Sequence, residues 1–184
     1  MSTLTVKELA APTGYDLKIA SGETLDLNSQ GTVILPTIPS NKMPTGSVLQ
    51  VVHGTTNTQA TTGQTSYVDT GLSAAITPSS TSSKILILVS QNIVFKTDTA
   101  SEREVYFNIV RNSTQLIIAS STSDTDTSSQ LKTGVFNGLS FLDSPNTTSS
   151  TTYKTQFKLV AQQADIYAQT NSTNSNITLM EIAG

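Results

Sequence analysis

The chain has 184 residues and a formal net charge of −3, with 36% hydrophobic and 12% charged residues. The charged share is about half of that in ordinary globular domains, and serine and threonine, 56 residues together, make up the difference. Disordered chains of this polarity rely on charge and proline. Here proline is rare and threonine, a good strand former, is abundant. We therefore predict a folded, all-β protein.

The same composition excludes several classes of function. No basic stripe is present to neutralise phosphates, so we expect no nucleic-acid partner. The absence of cysteine excludes disulfide scaffolds, thiolate zinc sites and cysteine nucleophiles. The first residues, "MSTLTVKELAAPTG", lack the cationic start and apolar core of a signal peptide, and no run approaches the ~18 apolar residues of a membrane span. We expect a soluble chain, made in a cytoplasm, without membrane insertion.

Residues 1–46 form a distinct segment that carries an apolar repeat with a period of eight. Turn-forming residues such as Ser21-Gly22 separate the repeats. Short strands of this kind cannot bury a face alone, so the segment is either a stacked repeat completed by other copies of the chain or a simple β-meander. Pro36, Pro39 and Pro44 predict a stiff, extended exit. The positions in register are Leu17, Leu25 and Val33, and Ile19, Leu27 and Leu35.

Residues 47–184 read as about nine short strands with turn signals between most of them. "SVLQVVH" opens the series, with Val48, Gln50 and Val52 on one face. "KILILVSQNIVF" (84–95) is apolar on both faces, which predicts a central strand that is buried on two sides. Between the run that ends at Ile76 and this strand, "TPSSTSSK" predicts a corner fixed by Pro78, which serves as scaffold and holds no site.

The second half of the chain follows the same pattern. "EVYFNIVRN" and "TQLIIASS" predict a hairpin that turns at Arg111-Asn112-Ser113. "TTYKTQFKLVAQ" alternates cleanly, and no segment sustains a helical period. We therefore predict an antiparallel β-sandwich or jelly roll over residues 47–184. On the alternating strand the predicted inward residues are Tyr153, Thr155, Phe157 and Leu159, and the outward ones are Lys154, Gln156 and Lys158.

Two short patterns suggest metal sites. His53 is the one histidine, and because a triad or metal site needs partners and the chain has no second histidine and no cysteine, we expect neither around His53 within one chain. It is either structural or, in a trimer, one of three copies that meet on an axis around a metal. "SDTDTSS" places Asp124 and Asp126 like the start of a calcium loop, but the required Gly and Glu are missing. A solvated loop is the simpler interpretation.

The remaining patterns give no catalytic constellation. Glu102 and Glu104 flank Arg103 and could form a glycosidase pair, but a charged strand edge that discourages aggregation explains them more simply. There is no tryptophan to stack a sugar, no phosphate loop and no nucleophile elbow. We predict that the protein is not an enzyme and needs no cofactor.

Four polar loops, residues 54–66, 120–131, 143–152 and 170–175, remain as candidate binding surfaces. On a rigid β-scaffold such loops can bind glycans or surface proteins through many modest hydrogen bonds; alternatively they only solvate the ends of the sandwich. The candidate partner-contact residues are Asn57, Gln59, Asp124, Asp126, Asn146, Asn171 and Asn174.

Four segments in this region together resemble a known family. These segments are "MPTGSVLQVV" (43–52), "SYVDTGLSAAITPSSTSSKILILVS" (66–90), "YFNIVRNSTQL" (106–116) and "NITLMEIAG" (176–184). Their order and spacing resemble tail-fibre-like virion structural proteins of tailed bacteriophages, in particular phages of cyanobacteria and other aquatic bacteria. Upstream, "STLTVKELAAPTG…GTVILP" resembles the N-terminal segments of the same proteins.

The resemblance implies a homotrimeric virion component that is assembled in the host cytoplasm. Residues 1–46 would attach to other virion proteins, and the β-domain would project toward a host surface glycan or protein. It implies no catalytic motif. Related trimeric jelly rolls also serve as capsid decoration (cement) proteins, and 184 residues is short for a long fibre. A stubby fibre, a tail-tip knob and a decoration protein therefore stay open.

Overall fold

A computed structural model describes residues 38–39, 42–97, 103–123, 131–160 and 165–184. They belong to a compact unit that spans Ile38–Gly184. The apolar repeat of the predicted N-terminal segment lies outside the described residues, so its architecture stays a prediction.

The described residues form ten strands and one turn of 3₁₀ helix at Thr170–Ser172. The prediction of an all-β protein is confirmed. The strands are β1 Val48–Thr56, β2 Ala60–Thr62, β3 Val68–Ile76, β4 Lys84–Thr97, β5 Arg103–Arg111, β6 Thr114–Ser123, β7 Leu131–Asp143, β8 Thr151–Leu159, β9 Asp165–Ala168 and β10 Ser175–Ile182.

The strands make two antiparallel sheets. Sheet A has the order β1-β10-β4-β7, with β9 beside the second half of β4 and β2 beside β9. Sheet B has the order β3-β8-β5-β6. The chain crosses between the sheets at every connection except β1–β2, β5–β6 and β9–β10, which gives the double Greek-key order of a jelly roll. The predicted sandwich architecture is therefore confirmed.

The core lies between the two sheets and is built from alternate residues of each strand. On β8 the predicted inward side chains Tyr153, Thr155, Phe157 and Leu159 are all buried. Opposite them, β4 contributes a run of isoleucines and valine. Each large apolar side chain that is fully buried stabilises the fold by about 1.5–3 kcal/mol, so this alternation is what holds the sheets together.

Three sequence predictions about individual strands can be checked. The hairpin turn is confirmed, with Asn112 in the left-handed region at φ 52°. On β1 the predicted face is wrong at its first residue, because a bulge between Val48 and Gln50 shifts the register and leaves Val48 51% exposed. On β4 the central position is confirmed, but burial on two sides is wrong. Leu88 on its outer side is 37% exposed, because no layer of described residues covers sheet A from outside.

The two ends of the sandwich differ in character. At the base end, residues 42–47 enter β1 beside the end of β10. There the amide of Gly46 donates to the carbonyl of Ala183 (2.8 Å), and the amide of Ala183 donates to the carbonyl of Ser47 (2.9 Å). The corner 77–83 and the loop 144–150 lie at this end as well. Residues 57–59 and 169–174 lie at the far ends of β1 and β10, here called the loop end, which is about midway along β4 because β9 and β2 continue sheet A beside the second half of that strand.

Candidate functional site

Two loops leave sheet A side by side at the loop end. Residues 57–59 join β1 to β2, and residues 169–174 join β9 to β10. The flanking strands pair on both sides of these loops, with Thr56 opposite Ser175 and Ala60 opposite Ala168. The two excursions therefore start and finish at the same register. We call them the paired loops.

The buried side chain of Gln169 ties the paired loops together. In the amide orientation that satisfies both of its polar atoms, its nitrogen donates to the carbonyl oxygens of Thr58 and Thr70, each at 3.1 Å, and its oxygen accepts from the hydroxyl of Ser175 at 3.0 Å. Gln169 is 0% exposed, and its backbone amide also donates to the carbonyl of Asn92 (3.4 Å). One side chain thus links both loops to sheet B and to β4.

Beneath Gln169 lies a polar network inside the core. Nε2 of Gln91 donates to Oγ of Ser175 (2.9 Å), and the hydroxyls of Thr155 and Thr70 lie 3.0 and 3.3 Å from Oε1 of Gln91. Gln91, Thr155, Thr70 and Ser175 are each 0% exposed. Hydrogen bonds of this kind are strengthened by the low local dielectric, and each partner is costly to remove. The network therefore holds in place the residues from which the paired loops leave the sheet.

The longer of the paired loops has an unusual backbone. Gln169, Asn171 and Ser172 all have positive φ values, 54°, 53° and 57°, in a region that residues with a Cβ seldom adopt, although Asn is enriched there. The amide and the hydroxyl of Thr173 both donate to the carbonyl of Thr170, at 3.0 and 2.8 Å. Backbone in this region costs energy and persists only where its surroundings determine it. The loop is held in one defined shape.

The paired loops contain four of the predicted partner-contact residues. Asn57, Gln59, Asn171 and Asn174 are all exposed. Their amides offer donors and acceptors without charge, which suits ligands rich in hydroxyl or amide groups. Asn146 is exposed too, but it lies in the loop 144–150 at the base end. Asp124 and Asp126 lie outside the described residues.

Sequence reasoning missed the network under the loops, although a signal was present. Along β4 the inward positions Ile85, Ile87 and Val89 are followed by Gln91. A glutamine at a core position requires buried partners. The alternation of inward and outward positions along β4 therefore predicts a polar network around Gln91. The sequence-based prediction for this segment is an apolar strand and does not include that network.

The base end is organised around a buried carboxylate. Oε1 of Glu181 accepts hydrogen bonds from the amide and the hydroxyl of Ser79 and from the hydroxyl of Ser83, all at 2.7 Å, and Oε2 accepts one from Gln50 at 2.6 Å. Burial on its own would raise the pKa of Glu181, but these hydrogen bonds outweigh it and hold the pKa below its ordinary value. A cavity of about 210 Å³ lies beside the corner.

A second polar cluster at the base end joins three elements. Nη1 of Arg111 lies 3.0 Å from both carboxylate oxygens of Asp143, and the buried hydroxyl of Tyr153 donates to Oδ2 of Asp143 at 2.7 Å. Burial, together with this hydrogen bond to Asp143, raises the pKa of Tyr153. The cluster anchors the loop 144–150, since Arg111 also donates to the carbonyl of Ser144 (3.3 Å).

The remaining predicted chemistry-bearing residues stay apart. His53 is exposed on the outer face of sheet A, and its Nδ1 lies 3.0 Å from the hydroxyl of Thr178. Glu104 is partly exposed on the outer face of sheet B, and Glu102 lies outside the described residues. In the part of the chain that the structure describes, no three His, Asp or Glu residues form a group that could hold a metal. That the protein is not an enzyme stays a prediction.

Among the described residues, no helix has the length and apolar character needed to cross a bilayer.

No protein-family model matches the chain, and no curated protein matches its sequence. Several solved structures match the chain. The VP2 subviral particle of infectious bursal disease virus is 15% identical, with a TM-score of 0.40, over 95% of this chain and 41% of that chain. The T13 particle of the same virus is 15% identical, with a TM-score of 0.41, over 82% and 36%.

A structure of the Gx strain of infectious bursal disease virus is 13% identical, with a TM-score of 0.39, over 82% of this chain and 37% of that chain. The chain thus spans less than half the length of each of these viral proteins. Similarity of this degree carries no conclusion about function.

Proposed function

We propose that the protein is a trimeric virion structural component, a short tail fibre or tail tip, that contacts the host surface with its loop end. The polarity of the domain carries this proposal. The chain enters at the base end through Gly46 and Ser47, whereas the paired loops lie at the other end of β1, which is nine residues long. An adhesin needs its recognition surface to lie away from its attached end.

The chemistry of the paired loops supports a role in recognition. Their exposed side chains are neutral amides and hydroxyls, and Gln169 and the network below it fix their shape. Polar loops on a rigid scaffold suit glycans or polar protein surfaces. A single contact of this kind is weak, but three copies on one particle gain useful affinity through avidity.

The family resemblance supports attachment of the protein at its base end. Parts of all four segments that resemble phage tail-fibre-like proteins lie near the base end. They include Gly46 at the entry, the corner at Ser79, the hairpin turn after Arg111, and Glu181. We propose that residues 1–46 attach the chain to other virion proteins, and that the base end supports that attachment.

A capsid decoration protein is the alternative, and one observation favours it. The outer face of sheet A exposes apolar side chains, among them Val51 (57%) and Leu142 (51%), which could lie against a capsid shell. Copy number separates the two functions. Tens to hundreds of trimers per particle would indicate decoration, whereas about six to eighteen chains would indicate a tail appendage.

A truncation tests the proposed attachment. The chain without residues 1–37 keeps every described strand and should still bind host cells, but it should be absent from purified virions. Quantitative mass spectrometry of particles from complementation experiments measures this. If the truncated chain is incorporated at the level of the intact chain, the proposed attachment role of the N-terminal segment is wrong.

A further inference from the structure

The outer face of sheet A carries an apolar row that crosses the whole sheet. Val51 lies opposite Met180, Met180 opposite Leu86, and Leu86 opposite Leu142. All four side chains point away from the core, because their neighbours along each strand point inward. Val51 and Leu142 at the two ends are 57% and 51% exposed. The row therefore runs between the two edge strands of β1-β10-β4-β7.

Neighbouring positions extend this row into a patch. Val48 is 51% exposed and lies opposite Ile182, and Leu88 is 37% exposed. Rows farther toward the loop end are polar, with His53 opposite Thr178. An apolar centre with a polar margin is typical of protein–protein interfaces. The apolar face consists of Val48, Val51, Leu86, Leu88, Leu142, Met180 and Ile182.

The sequence of β4 shows why this face needs a cover. Leu86 and Leu88 occupy the outer positions of a strand whose inner positions Ile85 and Ile87 are fully buried. A strand that is apolar on both sides is typical of a sheet covered on both faces. Within the described residues sheet A is covered only from inside, so a partner is expected outside.

The size of the face suits a stable partner. The outer face of the four strands, which is the apolar face together with its polar margin, is about eight residues long with strands about 4.8 Å apart, and this gives a projected area of roughly 500 Å². The accessible surface of a face with side chains exceeds its projection, so it approaches the ~800 Å² per partner of a standard interface.

The charge of the face favours another copy of the same chain as that partner. Among the outward side chains described on β1, β10, β4 and β7, Lys84 at the margin is the one with a formal charge at pH 7. A contact between two copies draws both of its surfaces from the same chain, and surfaces without charge bury no unpaired ion in that contact. By contrast, the outer face of sheet B carries both Asp69 and Lys154, joined at 2.8 Å.

We propose that the apolar face joins copies of this chain around a three-fold axis. In a cyclic trimer one edge of each face meets the opposite edge of the next, and both ends of the apolar row are exposed to make that contact. Val51 of one copy then lies beside Leu142 of its neighbour. This inference rests on the proposed trimeric function and identifies the surface that the trimer uses.

A matched pair of variants tests the surface. Leu142→Glu puts a charge at the end of the row, and Ile118→Glu makes the same change at a site of 47% exposure on the strand β6 of sheet B. We expect the full-length protein and Ile118→Glu to sediment as trimers of the 19.5 kDa chain, and Leu142→Glu to lose the trimer while keeping its circular dichroism spectrum. A monomeric wild type, or a Leu142→Glu variant that stays trimeric, would overturn the proposal.

Cysteine pairs test the symmetry on a background without native cysteines. Within one chain positions 51 and 142 are three strand spacings apart, about 14 Å, which is too far for a disulfide. The double variant Val51→Cys/Leu142→Cys should therefore form covalent trimers on oxidation, and neither single variant should. Covalent dimers from one of the single variants, or no cross-linking of the double variant, would contradict the three-fold arrangement.

Failure here and failure of the proposed function are distinguishable. If Leu142→Glu stays trimeric and virions still carry the protein, the surface is wrong and the function stands. If cross-linked trimers form but the protein is absent from virions and does not bind cells, the surface is right and the function is wrong.

Discussion

The amide and the hydroxyl of Ser79 both donate hydrogen bonds of 2.7 Å to Oε1 of Glu181, which lies 102 positions later in the chain. The serine-rich corner between β3 and β4 is therefore more than a connection. It supplies donors to a buried carboxylate on β10 that forms no ion pair with any residue the structure describes, and it closes the base end around the point where the chain enters.

Glu181 should make stability depend on pH in the acid range. Because its pKa in the folded state is held below the ordinary 4.5, the ionised carboxylate stabilises the fold above about pH 4.5. That contribution is lost as the pH falls through the lower folded-state pKa. Glu181→Gln should cost on the order of 1–3 kcal/mol at pH 7, since an amide cannot accept all of these hydrogen bonds, and should flatten the pH dependence.

Urea unfolding between pH 3 and pH 7 measures this effect. Glu104→Gln, at a partly exposed position on β5, is the control and should change stability by less than about 0.5 kcal/mol. Equal losses in the two variants would show that the buried carboxylate has no special role.

Gln91 should be required for the shape of the paired loops. Gln91→Leu removes one buried hydrogen-bond partner from the hydroxyl of Ser175 and one from that of Thr155, and we expect a loss of about 1–3 kcal/mol. Hydrogen exchange in residues 169–174 should accelerate as well, because their foundation is loosened. Ser90→Ala, on the outer side of the same strand, is the control. An unchanged exchange rate in these residues would mean that the network does not hold the loop.

Gly54 should be essential where β1 approaches β3. A Cβ at this position would overlap the carbonyl oxygen of Ser73 and press against Ala74, so Gly54→Ala should destabilise the fold by about 1–3 kcal/mol. Gly138→Ala is the matched control, since its Cβ would meet nothing nearer than 3.9 Å. Thermal melts of the two variants give the comparison, and equal melting temperatures would contradict the close approach.

The alternation of apolar residues was sufficient to predict the sandwich. On β8 every residue from Tyr153 to Leu159 faces the predicted side, because a strand period of two leaves no other way to bury the apolar set. The bulge at Val48 was not predictable, since a single extra residue depends on the partner strand β10 and leaves no local signal.

The candidate site was predicted only in part. The polar loops stood out by composition, but composition does not show that residues 57–59 and 169–174 leave the sheet together, which follows from strand pairing distant in sequence. It also could not separate Asn146 from Asn171. Both are exposed asparagines with left-handed backbone, and the topology alone places Asn146 at the base end and Asn171 at the far end of β10.

That similarity makes Asn171 and Asn146 the best pair for testing the central claim. Asn→Gly at either position removes the amide and keeps the positive φ, which glycine adopts freely. If each loop contributes one hydrogen bond of about 1 kcal/mol, or about five-fold in affinity, loss at three sites lowers trimer binding by about 100-fold. The measurement is competition, in which purified trimer is added to host cells before the phage.

We predict that the wild type and Asn146→Gly block adsorption at the same concentration, and that Asn171→Gly requires far more protein. Equal blocking by both variants, or no blocking by a folded wild-type trimer, would contradict a host-binding role for the loop end.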